Sequence, residues 1–125
     1  MRTLAVANAQ FSDGAYQGPI RLTKEVVRVP HGDTCSPSKV GMVNFRVTGD
    51  KISLDHPRSG KVFSGALPAD GNFHISFQHP SGKAGAWLTT DVKGRLKGSH
   101  IDGNSVGIGP GRDCYHSFAA RKKPS

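Results

Sequence analysis

The chain has 125 residues, among them 16 glycines, eight prolines and two cysteines, and its formal net charge is +8. This length allows one domain with a single modest hydrophobic core. The glycines follow no fixed period, which excludes a collagen-like protein. No stretch of the sequence approaches the roughly 20 apolar residues of a transmembrane helix.

The first ten residues combine a short apolar run with the small-residue pattern Ala7-Asn8-Ala9, which fits a signal-peptidase site. The run is too short for a complete signal peptide. We therefore interpret residues 1–10 as the remnant of a signal peptide or, alternatively, as a disordered N-terminus. We expect the folded domain to span residues 11–121, and residues 122–125 to form a basic, disordered tail.

Helical periodicity is absent, whereas apolar and polar residues alternate in short segments that turn-forming residues separate. The strands predicted from this alternation are 16–23, 43–48, 51–55, 62–67, 73–78 and 83–88. Gly49-Asp50 and Asp70-Gly71 are strong turn signals between them. Further along the chain, a turn is predicted near Lys93-Gly94, a strand at 96–101, a glycine-rich loop at 102–111 and a last strand at 114–120.

About eight strands at hairpin spacing predict an all-β fold, a single antiparallel meander. Such a meander removes its exposed edges by closing into a small β-barrel in which the first and last strands pair. A two-sheet β-sandwich is the alternative.

The two cysteines, Cys35 and Cys114, lie far apart in the sequence, and neither has a nearby histidine or second cysteine at metal-ligand spacing. We predict a disulfide that joins the irregular segment 29–39 to the last strand. A disulfide favours an oxidising compartment, so we expect a periplasmic or secreted protein. The segment 29–39 is then the expected location of function.

Candidate contacts follow from the strand pattern. If the apolar residues of the predicted strands face the core, the side chains of Arg46, His74 and Trp87 face outward. An exposed tryptophan among cations can stack on a sugar or a base while the cations hold an anion. The alternative places Trp87 in the core. The full set of candidate ligand or partner contacts is Arg46, His74, Trp87, His31 and Asp33.

Three motifs carry a resemblance to a group of known proteins. They are an aromatic-x-Asp-Gly-x-aromatic-x-Gly opening from Phe11 to Gly18, a central pair of Phe-x-Gly and Asp-Gly-x-Phe motifs between Phe63 and Phe73, and the closing segment from Cys114 to Lys122. In these features the chain resembles small secreted or periplasmic all-β proteins of unknown function from proteobacteria. The resemblance implies the fold and export and implies no activity.

The histidines lack the spacing of a metal site, and we recognise no catalytic constellation in the sequence, so we predict no metal, no cofactor and no catalysis. A barrel can bind at an open end without further chemistry. We therefore expect a monomeric binding protein for a small ligand or a protein partner. Nonspecific polyanion or nucleic-acid binding through the basic surface is one alternative, and enzyme inhibition is another.

Overall fold

The computed structural model describes residues 11–28, 35–56, 60–80 and 87–124. The predicted signal-peptide remnant at 1–10, His31 and Asp33 lie outside the described residues. Within these ranges the chain forms eight strands and no helix. The strands are β1 (Gly14–Val27), β2 (Val40–Thr48), β3 (Lys51–His56), β4 (Lys61–Ala66), β5 (Asn72–Pro80), β6 (Trp87–Lys97), β7 (His100–Ile108) and β8 (Arg112–Lys122).

All strands are antiparallel and belong to one sheet, in the order β4-β3-β2-β1-β8-β7-β6-β5. Strands that follow one another in sequence are neighbours in the sheet, except for β4 and β5, and β1 also pairs with β8. The meander thereby forms a nearly closed, barrel-like sheet whose outermost strands are β4 and β5. The predicted meander and the predicted pairing of the first and last strands are confirmed, and the sandwich alternative is wrong.

β4 and β5 pack closely against each other although they do not pair. A Cβ atom at Gly65 of β4 would lie 2.6 Å from the carbonyl oxygen of His74 in β5, so the two backbones approach where no side chain intervenes. Further along the boundary, the rings of Phe63 and Phe77 stack with their centroids 4.0 Å apart, and the His56 ring meets both edge-on. Side-chain contacts therefore bridge the two outermost strands.

The hydrophobic core fills one end of the barrel, which we call the core end. It carries the turns at Gly49-Asp50, 67–71 and Gly98-Ser99. The ring of Phe45 lies at its centre, 5.7 Å from the Phe73 ring and 5.3 Å from the Phe118 ring. Burying one such side chain contributes about 1.5–3 kcal/mol. The largest fully buried side chains are Tyr16, Ile52, Ile75, Leu96, Ile101 and Val47.

Gly94, Gly103 and Gly107 are strand residues, which corrects the predicted turn near Lys93-Gly94 and most of the predicted loop at 102–111. Gly94 lies within β6 and pairs with Gly103 of β7, and the intervening turn is at Gly98-Ser99, inside the predicted strand 96–101. A Cβ atom at Gly94 would lie 2.7 Å from the Phe73 ring, and one at Gly103 would lie 2.6 Å from the Phe118 ring. These glycines make room for phenyl rings rather than for a turn.

The last strand extends slightly further than the sequence indicates. β8 ends at Lys122, and the backbone amide of Lys123 donates a hydrogen bond to the Ala15 carbonyl at 2.8 Å. The ordered backbone therefore reaches into the segment 122–125 that the sequence predicts to be a tail.

Gly103→Ala is expected to lower the free energy of unfolding by about 2 kcal/mol or more. The added methyl group would meet the Lys93 carbonyl oxygen at 2.1 Å and the Phe118 ring at 2.6 Å. Gly107→Ala is the matched control, because its nearest contact is at 3.6 Å, and it should change stability by less than about 0.5 kcal/mol. Urea unfolding of both variants tests the difference, and equal stabilities would contradict the close packing at Gly103.

Candidate functional site

A cavity of about 320 Å³ occupies the other end of the barrel, which we call the open end. At this end β1 leads into Arg28, β2 begins at Val40, and the residues Gly109–Gly111 join β7 to β8. Sites for small molecules typically measure roughly 300–1,000 Å³, so this cavity suits a ligand at the small end of that range.

The cavity exists because the inward-facing residues become smaller toward the open end. Along the inner face of β2, Phe45 and Val43 are followed by Gly41, and Gly41 lines the cavity. Along the inner face of β7, Ile101 is fully buried at the core end, whereas Ser105 and Gly107 line the cavity. Since alternate residues of a strand share one face, this gradient leaves space at one end of the barrel.

The cavity is lined mainly by apolar side chains, with polar side chains on several strands. The apolar side chains include Ile20, Val43, Leu54, Phe77, Val92 and Phe118. The polar side chains include Thr90, Ser105 and His116 on β6, β7 and β8, and Asp55 and His56 on β3. Ser105 and His116 are directly opposed across β7 and β8. We call the part formed by Thr90, Ser105 and His116 the polar wall of the cavity.

His116 is the most deeply buried titratable side chain of this wall, with 6% of its surface exposed. Its Nε2 lies 2.8 Å from the Pro37 carbonyl oxygen. A carbonyl only accepts hydrogen bonds, so Nε2 carries the proton, and Nδ1 of the neutral ring is an acceptor. Ser105 is 7% exposed and lines the cavity beside His116.

The disulfide between Cys35 and Cys114 forms part of the cavity wall, which confirms the predicted pairing. Cys35 precedes β2, and Cys114 lies in β8 opposite Glu25 of β1, with the two cysteine Cα atoms 5.6 Å apart. The bridge thus holds residues 35–39 against β8, beside the pairing of the first and last strands. The discontinuity of the sheet lies on the opposite side of the barrel, between β4 and β5.

Two ion pairs hold the rim of the cavity. Arg28 forms an ion pair with Asp113 at 2.8 Å and donates a further hydrogen bond to the Gly109 carbonyl, and Arg112 pairs with Glu25. A β-bulge between Leu22 and Lys24 shifts the register of β1 by one residue, which places Glu25 near Arg112. The turn at 109–111 is therefore anchored by charge as well as by backbone hydrogen bonds.

The rim also exposes apolar side chains. Among the described residues, the large hydrophobic side chains that are about half exposed all belong to strand segments toward the open end. They are Val27, Val40, Met42, Val62 and Ile108. Of these five residues, Met42 also lines the cavity.

Two of the contact residues predicted from the sequence lie on the outer face of the barrel and not in the cavity. Arg46 and His74 are exposed on the outer face, on β2 and β5, with β3 and β4 between them, and neither lines the cavity. His74 instead borders a shallow outer groove with Lys93. The backbone of Trp87 pairs with Pro80 at the open end, and its side chain lies outside what the structure describes. A contact role for these residues stays a prediction.

Ser105, Gly107 and His116 line the cavity, but they are not among the contact residues predicted from the sequence. A signal was present, because Ile101, Gly103 and Ser105 of β7 alternate with the polar, exposed residues Asp102 and Asn104. Residues 103–107 also match Gly-x-Ser-x-Gly, here within a strand rather than at the strand-to-helix turn of a nucleophile elbow. Reading 102–111 as a loop concealed this alternation. His116 was one of six histidines without any distinguishing neighbour in sequence.

The described residues contain neither a cluster of metal-ligating side chains nor a membrane-spanning helix. In ranges 11–28, 35–56, 60–80 and 87–124, no three His, Cys, Asp or Glu side chains could together hold a metal ion. In the same ranges no helix is long and apolar enough to cross a membrane.

Comparison of the chain with protein-family models, with curated proteins and with solved structures finds no match. The resemblance to secreted proteobacterial proteins therefore stays a prediction. The features that bear on function are the barrel and its cavity.

Replacing Cys35 and Cys114 together with serine is expected to lower the free energy of unfolding by about 2–5 kcal/mol, because the bridge restricts the unfolded chain. The measurement is urea unfolding of the variant against the oxidised protein. Reduction of the unaltered protein should produce a similar loss. Unchanged stability in both cases would show that the bridge does not constrain the fold.

The His74–Asp91 pair gives a pH prediction. A hydrogen bond from His74 is the main cause that lowers the pKa of the Asp91 carboxyl group, and a hydrogen bond from Ser76 lowers it further. Because the folded state favours the ionised carboxylate, the stabilisation is present above the ordinary pKa of aspartate and is lost as the pH falls through the lowered pKa. Both side chains are substantially exposed, so the effect on stability is small.

His74→Ala is expected to raise the pKa of Asp91 toward that of an ordinary aspartate, as measured by NMR titration of its carboxyl carbon. Arg46→Ala, an exposed change on β2, is the control and should leave this pKa unchanged. An Asp91 pKa that is the same in His74→Ala and in the unaltered protein would contradict the hydrogen bond.

Proposed function

We propose that this protein is an exported, non-catalytic barrel that holds one small, largely apolar ligand in the cavity at its open end. The observation that carries the proposal is the cavity itself, which is lined mainly by apolar side chains and by a few polar ones, among them the directly opposed Ser105 and His116. This combination is typical of small-molecule sites. The disulfide supports export, since such bridges persist in oxidising compartments.

The rigidity of the rim supports binding of this kind. Burial of ligand surface contributes roughly 25 cal/mol per Å² of apolar area, and a site that is already ordered loses less of this to conformational entropy. The Cys35–Cys114 bridge and the Arg28–Asp113 ion pair hold two sides of the entrance. Met42, which is about half exposed, also lines the cavity.

Polyanion binding has weaker support. The cations of the outer groove do not form a concentrated positive surface, because Arg95 is paired across the strands with Asp102, and Lys93 with Asn104. Arg46 lies on the other side of the β4–β5 boundary. These positive charges lie on separate parts of the outer face, whereas the apolar side chains of the open end lie together around the cavity.

Naphthalene is a suitable first probe, and its titration can be followed by the backbone amide signals in NMR. We expect shifts at Ser105, Gly107 and His116, which line the cavity, and none at His100 or Lys97, which flank a core-end turn. Gly107→Leu should abolish these shifts. A Cβ atom at Gly107 has open space around it, with its nearest contact at 3.6 Å, so the leucine can fill the cavity without displacing the backbone.

Asn104→Leu is the matched control, because it adds the same side chain to the exposed outer face of the same strand. It should bind naphthalene as the unaltered protein does. Absence of binding by the unaltered protein, or binding that survives Gly107→Leu, would contradict the proposal.

A further inference from the structure

The polar wall of the cavity places two hydrogen-bonding side chains next to each other. Ser105 and His116 are each more than nine-tenths buried, and they are directly opposed in adjacent strands. Such opposed residues have Cβ atoms about 4.5–5.5 Å apart, so one ligand atom can reach both side chains. Both residues line the cavity.

The two side chains offer complementary roles. The His116 Nε2–H already donates to the Pro37 carbonyl, which leaves Nδ1 of the neutral ring as an acceptor. The Ser105 hydroxyl can donate or accept. A ligand group that donates to Nδ1 and accepts from Ser105 would satisfy both, and a hydroxyl group does this with a single oxygen atom.

Other ligand groups fit less well. A ketone or an ether can accept from Ser105 but has no proton for His116 Nδ1, which would then be buried unpaired at a cost. A carboxylate would place a negative charge against the lone pair of that nitrogen. A pure hydrocarbon would leave both polar side chains unsatisfied.

We propose that the cavity selects a neutral alcohol or phenol, with its hydroxyl group between Ser105 and His116. Its apolar body then packs against the apolar part of the lining, which includes Ile20, Val43, Leu54 and Phe77. This assignment rests on the proposed function, because it names the class of ligand for the same cavity. It makes Ser105 and His116 the residues that determine specificity.

The test uses three probes of one shape: 1-naphthol, naphthalene and 1-naphthoate. Fluorescence titration should show that 1-naphthol binds about tenfold more tightly than naphthalene, the ratio that corresponds to one or two net hydrogen bonds. 1-Naphthoate should bind more weakly than 1-naphthol. In Ser105→Ala, the preference for 1-naphthol over naphthalene should fall to about threefold or less.

Ser117→Ala is the matched control, because it removes the same hydroxyl group from the outward-facing neighbour of His116 in β8. It should keep the full preference for 1-naphthol. Retained naphthalene binding by Ser105→Ala shows that this variant is folded and that its cavity is intact.

The outcomes separate the two proposals. If none of the probes binds the unaltered protein, the proposed function fails. If naphthalene binds but 1-naphthol has no advantage, or if its advantage survives Ser105→Ala, the hydroxyl assignment alone is overturned. Tightest binding of 1-naphthoate would also overturn it, in favour of a carboxylate ligand.

Discussion

The pairing of β1 with β8 is the constraint on which the rest of the structure depends. Without it, β1–β4 and β5–β8 would be two separate sheets with four edge strands in all. The pairing joins them into one sheet whose two edge strands, β4 and β5, pack against each other. β1 and β8 approach very closely at Gly18, where a Cβ atom would lie 1.8 Å from the Ala119 carbonyl oxygen. No other residue type fits there without displacing the backbone. The Cys35–Cys114 bridge and the Arg28–Asp113 ion pair reinforce the same region.

The same pairing divides the barrel into two unlike ends. Toward the core end, β1 and β8 keep a regular register, and the fully buried Tyr16 packs in the core. Toward the open end, the bulge after Leu22 shifts that register, and Glu25 comes opposite Cys114. Stability is concentrated where large side chains fill the barrel, and the cavity lies where small residues such as Gly41 and Gly107 replace them.

The sequence predicted the features that depend on local alternation and on turn residues. The number of strands, the Gly49-Asp50 hairpin and the Cys35–Cys114 pairing were all accessible in this way. The cavity was not, because a glycine in a strand has the same local signal as one in a turn. Gly94 and Gly103 are strand residues for a reason that lies far away in sequence, namely the rings of Phe73 and Phe118. The partner of His116, a proline carbonyl before β2, is likewise set by tertiary structure.

The central claim is that the barrel is hollow at its open end and filled at its core end. A crystal of the protein pressurised with xenon tests this directly, because xenon enters dry apolar cavities. We predict one xenon site between Phe77 and Val92, on the open-end side of Phe118, and none beside Tyr16 in the core end. Electron density in which side chains of the protein itself occupy that space, with no bound xenon, would contradict the account.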